Sequence, residues 1–274
     1  PGAGKSTLID ALVQVLRSEG STVGVLAVDP TSPFSGGAVL ADRIRMQAHS
    51  LDPGVFIRSL ATRGAQGGLS RVIRAAVALL DASGRDVVIV ESVGVGQTEL
   101  DIAAVADTVV VTLVPESGDS VQVMKAGLME IADIFVVNKA DRRGANRLAA
   151  AIRTEVGSNV SKDGWTPPVL MSQAHKGEGI ERLHEALAQH RVQSQSGPQR
   201  ERRRSQQRRL EFIRAIRDSI ETAVEEMVLE SDELGAVMRR VESGETDPYS
   251  AASEVLRSDV LLRRLTKMSP KPSR

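Results

Sequence analysis

Along the 274 residues, short runs that are apolar on every side alternate with longer stretches of helical periodicity. Val23–Val28, Val87–Val90, Thr108–Val114 and Ile134–Val137 read as buried strands, and Pro168–Met171 as a shorter one. Runs without a polar side suit a parallel sheet covered on both faces. Leu69–Ala82 and Gly144–Val156 carry apolar residues three and four apart, and a helix over Ile180–His190 should close the domain. Strands alternating with helices predict a doubly wound α/β structure over residues 1–191. Residues 192–209 have the composition of a linker and then turn basic. Leu210, Ile213, Ile216, Ile220, Val224 and Met227 then form one apolar stripe on a long helix, the start of a helical arm over residues 210–268. Such a stripe needs a partner surface, either a second copy or the helices expected at Glu233–Glu242 and Ser250–Lys267. Residues 269–274 read as a disordered tail.

The chemistry is concentrated at loops that follow the strands. Pro1-Gly2-Ala3-Gly4-Lys5-Ser6-Thr7 is the end of a G-x-x-x-x-G-K-[ST] phosphate loop, whose opening Gly would lie two positions before Pro1. Gly2 and Gly4 let backbone N–H groups turn inward toward phosphate oxygens. Lys5 supplies a point charge to the β- and γ-phosphates, and the Ser6 hydroxyl can ligate Mg²⁺. The helix starting at Thr7 presents its positive end to the anion. Glu91, an acid at the end of a hydrophobic strand, is a natural partner for Mg²⁺ through water. Glu91-Ser92-Val93-Gly94 is an E-x-x-G loop in which Gly94 lets an N–H approach a γ-phosphate. Gln97 could orient an attacking water or be a surface amide.

Asn138-Lys139-Ala140-Asp141 has the guanine-reading pattern N-K-x-D. The Asp141 carboxylate can accept from guanine N1–H and from its exocyclic amine, neither of which adenine offers. The Lys139 stem can lie along the base. Gln173-Ala174, or Ser172-Gln173-Ala174, stands where a short S-A-x loop would support the base, in degenerate form. Asp29 ends its strand and either meets the metal shell or opens an Asp-Pro turn with Pro30. Residues 31–37 are polar, as a loop that senses nucleotide would be. Asp42, by spacing alone, is a solvated helix charge. The loop at residues 115–120 is either a reporter of nucleotide state or a plain connection. Residues 63–68 form another glycine-rich turn, without a Lys-Ser pair.

Composition narrows the field. Lys+Arg and Asp+Glu are both 35, so no net field argues for nucleic acid or a membrane surface. Cysteine is absent, which removes disulfides and thiolate metal sites, and aromatics are 2%, too few for base-stacking platforms. No apolar run approaches the roughly 20 residues that cross a bilayer. A cytoplasmic protein with no nucleic-acid or membrane partner is the expectation. The arginines at 200, 202, 203, 204, 208 and 209 are read as a solvated face rather than a nucleic-acid patch.

Taken together, P-G-A-G-K-S-T, A-V-D-P-T-S with G-G-A-V-L-A-D-R-I-R-M, E-S-V-G-V-G-Q-T-E, N-K-A-D and W-T-P-P-V resemble the methylmalonyl-CoA mutase-associated GTPases. The resemblance runs over essentially the whole chain. It implies a P-loop NTPase of the SIMIBI type that binds GTP/GDP with Mg²⁺. It also implies a G-protein chaperone that gates adenosylcobalamin loading and protects methylmalonyl-CoA mutase, and that commonly dimerises through its arm. By the same resemblance Ser6, Asp29, Asp42 and Glu91 map onto residues near Mg²⁺, and residues 114–125 onto a third switch. Lys5, Asp29 and Gln97 are the expected catalytic set. Gly2, Ala3, Gly4, Lys5, Ser6, Thr7, Gly94, Asn138, Lys139, Asp141, Gln173 and Ala174 are the expected nucleotide contacts. The rival readings are a nickel-enzyme metallochaperone GTPase, opposed by the lack of cysteine, and a P-loop kinase or transport ATPase, opposed by N-K-A-D.

A phosphate loop needs a strand feeding into it, and that strand would precede Pro1. The expectation is an unfilled slot in the sheet and poor stability of the residues given. Urea denaturation checks this, and a cooperative transition at high urea would contradict it.

Overall fold

The computed structural model describes residues 2–29, 49, 51–61, 68–92, 105–115, 128–158, 164–195 and 232–257, with positions 209, 212, 213, 216, 217, 219, 220 and 224. Contacts divide the chain into two compact units, Pro1–Arg203 and Arg204–Arg274.

The first unit is α/β. Its strands are β1 (Val23–Asp29), β2 (Val55–Ala61), β3 (Val87–Glu91), β4 (Val110–Leu113), β5 (Ile134–Val137) and β6 (Val169–Met171). Its helices are α1 (Lys5–Ser18), α2 (Gly68–Ala82), the single turn α3 (Leu128–Ile131), α4 (Ala145–Ser158) and α5 (Ile180–Gln195). All pairings among these strands are parallel, in the orders β2-β1-β3 and β4-β5-β6. Among the described residues no pairing joins β3 to β4, so the sheet is interrupted where one continuous sheet would run. Helix α1 bridges the two halves. Its Leu8, Leu12, Val13 and Leu16 share one core with Val23 and Val25 of β1, Ile134 and Val136 of β5, and Ile180 and Leu183 of α5. The alternate residues of β5, Phe135 and Val137, enter a second core with Leu148, Ala149 and Ile152 of α4. This is why β5 reads as an unbroken apolar run: its side chains alternate between two covered faces. On the far side of β1, Val28 meets Ile73 of α2.

Strand β2 was not expected from the sequence. Among the described residues it pairs only with β1. Val55 and Ile57 pack against the α1 core, while Phe56 is 41% exposed and Arg58 is also exposed. A half-covered edge strand alternates apolar with polar and forms no continuous run. The expected strand at residues 108–114 is shorter, because Thr108 and Val109 serve a polar cluster instead.

That cluster pins the end of α5. His190 is 2% exposed. Its Nδ1 lies 2.8 Å from Thr108 Oγ1 and its Nε2 lies 3.2 Å from Asp133 Oδ1. Asp133 Oδ2 accepts the Val109 N–H at 2.8 Å. Trp165 packs edge-on against the imidazole at a ring separation of 5.0 Å, and its indole N–H donates to the Asp133 carbonyl at 2.8 Å. At the same end of β1 and β3, the Asp86 carboxyl is held below the usual carboxylate range by bonds from the Thr22 N–H and hydroxyl.

In the second unit, α6 (Asp232–Glu242) and α7 (Pro248–Arg257) bury Leu234 and Ala251. Asp247 caps α7 by accepting from the N–H groups of Tyr249 and Ser250. Its carboxyl is held low by the Ser250 hydroxyl first, then by the Ser250 and Tyr249 N–H groups. Of the expected apolar stripe, Ile213, Ile216 and Ile220 are helical and remain 42–45% exposed.

Removing the His190 ring leaves a buried carboxylate short of a partner. His190→Ala should therefore lower the unfolding free energy by about 2–4 kcal/mol. Urea unfolding followed at Trp165, the single tryptophan, measures it.

Candidate functional site

The strand ends Glu91, Val114 and Asn138 and the start of α1 lie at one end of the first unit, as parallel connections place them. Gly4 has φ 78° and ψ 30°, the left-handed conformation in which a side chain is strained, and it turns the chain into α1. Its carbonyl accepts the first helical bond, from Leu8 N–H at 2.9 Å. Gly2 is also left-handed, with φ 78°. A Cβ on Gly4 would stand 2.5 Å from Asn138 Nδ2, so the close approach of Asn138 requires glycine here as much as the backbone does.

Asn138 is 3% exposed and joins three segments. Its Nδ2 donates to the Ala3 carbonyl of the phosphate loop at 2.9 Å. Its Oδ1 accepts from the Ser172 hydroxyl and from the Ala174 N–H, each at 3.1 Å. A further backbone bond, Ala140 N–H to the Ser172 carbonyl at 3.0 Å, ties the N-K-A-D turn to the same loop. Lys139 adopts φ 55°, an uncommon conformation for a side-chain-bearing residue, and thereby turns the chain sharply after β5. Asp141 is exposed beyond this turn. The degenerate loop is thus engaged as Ser172-Gln173-Ala174. Sequence reading left the part played by Ser172 open, because its role depends on a partner 34 residues away. The Gln173 amide N–H donates to the Glu178 side chain, closing the loop upon itself.

At the other end of the phosphate loop, the Ser6 hydroxyl donates to Glu91 Oε1 at 2.7 Å, and both residues are buried. A hydroxyl and a carboxylate at a helix start are hard oxygen donors of the kind Mg²⁺ takes. Lys5 is half-buried and Thr7 is exposed. Asp29 closes β1, paired in register with Ala61. Its side chain, and all of Asp42, Gly94, Gln97 and residues 116–127, lie outside the described residues. The structure therefore brings together Ala3, Gly4, Ser6, Glu91, Asn138 and Ala174 of the expected site. Sequence reading missed His49, which is 8% exposed and stands 3.0 Å from Asp10 of α1. A lone histidine carries no motif.

No helix among the described residues is long and apolar enough to cross a membrane. The chain is similar to a Pyrococcus abyssi protein named provisionally as a GTPase, with 50% identity over 263 residues covering 94% of this chain and 80% of that protein. It is 32% identical over 270 residues to the mouse mitochondrial "methylmalonic aciduria type A homolog", covering 94% of this chain and 63% of that one. Among solved structures it resembles one described as an LAO/AO transport system kinase, with a TM-score of 0.66 and 28% identity over 94% of this chain and 79% of that chain. The model of the family described as "Methylmalonyl Co-A mutase-associated GTPase MeaB" matches residues 1–228. With its phosphate loop and its N-K-A-D turn held in one α/β unit, the chain belongs to this family of P-loop GTPases.

Proposed function

We propose that the protein is a Mg²⁺-dependent GTPase, converting GTP to GDP and phosphate. In this reading hydrolysis is a timing signal for an adenosylcobalamin-dependent methylmalonyl-CoA mutase, whose cofactor loading it gates and which it protects. The observation that carries the reading is the Asn138 carboxamide, which bonds the phosphate loop on one side and the 172–174 loop on the other. A triphosphate gripped at Gly2–Thr7 would thereby have its base directed to the turn that holds Asp141.

Each residue has a stated part. Gly2, Ala3 and Gly4 turn their backbone N–H groups to the phosphates, and Lys5 neutralises phosphate charge. Ser6, Asp29, Asp42 and Glu91 would hold the metal, which when bound neutralises charge on the phosphate oxygens. The Ser6–Glu91 hydrogen bond supports this, because it fixes the hydroxyl before any ligand arrives. Asp141 selects guanine, with Lys139 along the base and Gln173-Ala174 behind it. Asp29 and Gln97 would orient the attacking water, and Gly94 would sense the γ-phosphate. The segments 29–42, 94–99 and 114–125 would respond to its loss. The mutase as partner is supported by the family's own description and by the likeness to the mouse protein. A homodimer is supported by the exposed row Ile213, Ile216 and Ile220, with Phe212 beside it at 66% exposure.

On the full-length protein, titration with GTP and ATP tests the base assignment. Asp141→Ala should weaken GTP about 100-fold or more, the worth of two hydrogen bonds to a charged acceptor, and leave ATP unchanged. Equal affinity for the two nucleotides would overturn the reading. Asn138→Ala should weaken GTP and GDP alike and lower the unfolding free energy by about 2–4 kcal/mol, since three hydrogen bonds go at once. Calorimetric titration beside a urea melt reads both effects.

A further inference from the structure

The loop that follows β6 is closed at its neck by a main-chain and a side-chain bond between the same pair of residues. Gln173 and Glu178 face each other as an antiparallel bridge, with the Gln173 N–H donating to the Glu178 carbonyl at 3.0 Å. Beside that bond, Gln173 Nε2 donates to Glu178 Oε2. Inside the neck lies a 3₁₀ turn, Ala174–Lys176. The Lys176 N–H donates to the Gln173 carbonyl at 2.8 Å, and the Gly177 N–H to the Ala174 carbonyl at 3.1 Å. Gly177 at φ 73° and Gly179 at φ 81° flank Glu178, so the chain reverses through left-handed conformations on either side of it. A Cβ on Gly179 would stand 2.3 Å from the Met171 carbonyl oxygen, so the outgoing chain runs hard against the end of β6.

The position of Gln173 gives its side-chain bond a reach beyond the loop. Its two neighbours in the chain, Ser172 and Ala174, are the residues that bond Asn138 Oδ1. A rotation of the backbone at Gln173 would therefore move both bonds at once. One main-chain hydrogen bond is an axis about which the neck can turn, and a second bond beside it removes that freedom. The glutamine that makes the S-A-x pattern degenerate is long enough to span the neck, as a serine would not be. Ala174 is 5% exposed and packs with Leu8 and Leu12 of α1, so the inner side of the loop is already fixed by the core. Glu178 is exposed, where water competes for its carboxylate, so its bond adds little to folding stability.

We propose that Glu178 is a positioning residue for the base end of the site. By holding Gln173 across the neck it keeps Ser172 and Ala174 on Asn138, and with them the loop behind the guanine. It acts through Gln173 rather than on the nucleotide. This deepens the GTPase reading above and rests on it.

The test is equilibrium binding of GTP, GDP and ATP to the full-length protein, with single-turnover hydrolysis at saturating GTP and a thermal melt of each variant. Glu178→Ala should weaken GTP and GDP alike by about 10-fold and ATP by less than about twofold, so that the preference for guanine narrows. Hydrolysis at saturation should not change, because the phosphate end is untouched, and the melting temperature should fall by no more than about 2 °C. Glu178→Gln, whose carbonyl can accept the same bond, should restore guanine affinity to within about twofold. Glu178→Ser, too short to span the neck, should match Glu178→Ala, and it decides the matter if that variant does not fold. No loss of guanine affinity, an equal loss for ATP, a fall in saturated hydrolysis, or a loss that glutamine does not restore would overturn the inference while leaving the GTPase assignment standing. Failure of the unaltered protein to prefer GTP over ATP would instead overturn the assignment beneath it.

Discussion

Everything at the ligand end of the first unit depends on one carboxamide having three partners at once. Asn138 is placed by β5, the most completely buried strand described, so its position is as fixed as the core. Its donor takes the Ala3 carbonyl and its acceptor takes two groups of the 172–174 loop. A buried amide with both ends satisfied is rigid, because any displacement exposes unpaired polar groups to a low-dielectric surrounding. The phosphate loop therefore has a fixed distance to the turn that carries Asp141.

Helix α1 carries the same rigidity through the rest of the unit. Its apolar side joins the two halves of an interrupted sheet in one core. Its polar side meets Glu91 through Ser6, His49 through Asp10 and Asp52 through Arg17. The phosphate loop is thus not an appendage on a finished fold. It begins the helix on which both the core and the polar contacts converge, so binding there acts on a member that touches most of the unit. At the far end of the strands, His190, Asp133, Thr108 and Trp165 hold α5 in place.

Much of this was legible in the residues. Glycines at positions 2 and 4 before Lys-Ser, an acid closing an apolar strand, and N-K-A-D after another each have a spacing that follows from local chemistry. Continuous apolar runs located β1, β3, β5 and β6 to within a residue or two. The edge strand β2 escaped because one of its faces meets solvent, and its pattern alternates as a surface segment's does. The part of Ser172 in the 172–174 loop stayed open, and the pairings of His49 and His190 went unnoticed. A hydroxyl or an imidazole has no local signature until its partner, dozens of residues away, is brought beside it.

The sequence by itself marked the groups expected to meet a nucleotide, because backbone bending at glycine, charge at lysine and the acceptor pattern of a carboxylate are properties of the residues. It determined equally that the layers would be α/β, since burial on both faces leaves a periodicity that survives in one dimension. Only the tertiary structure decided that Asn138 would be the brace between two loops, that α1 would hold the halves of the sheet together, and that His49 would lie beside Asp10 of α1. Those outcomes depend on contacts between residues remote in the chain, and such contacts exist only once the core has chosen which elements lie side by side.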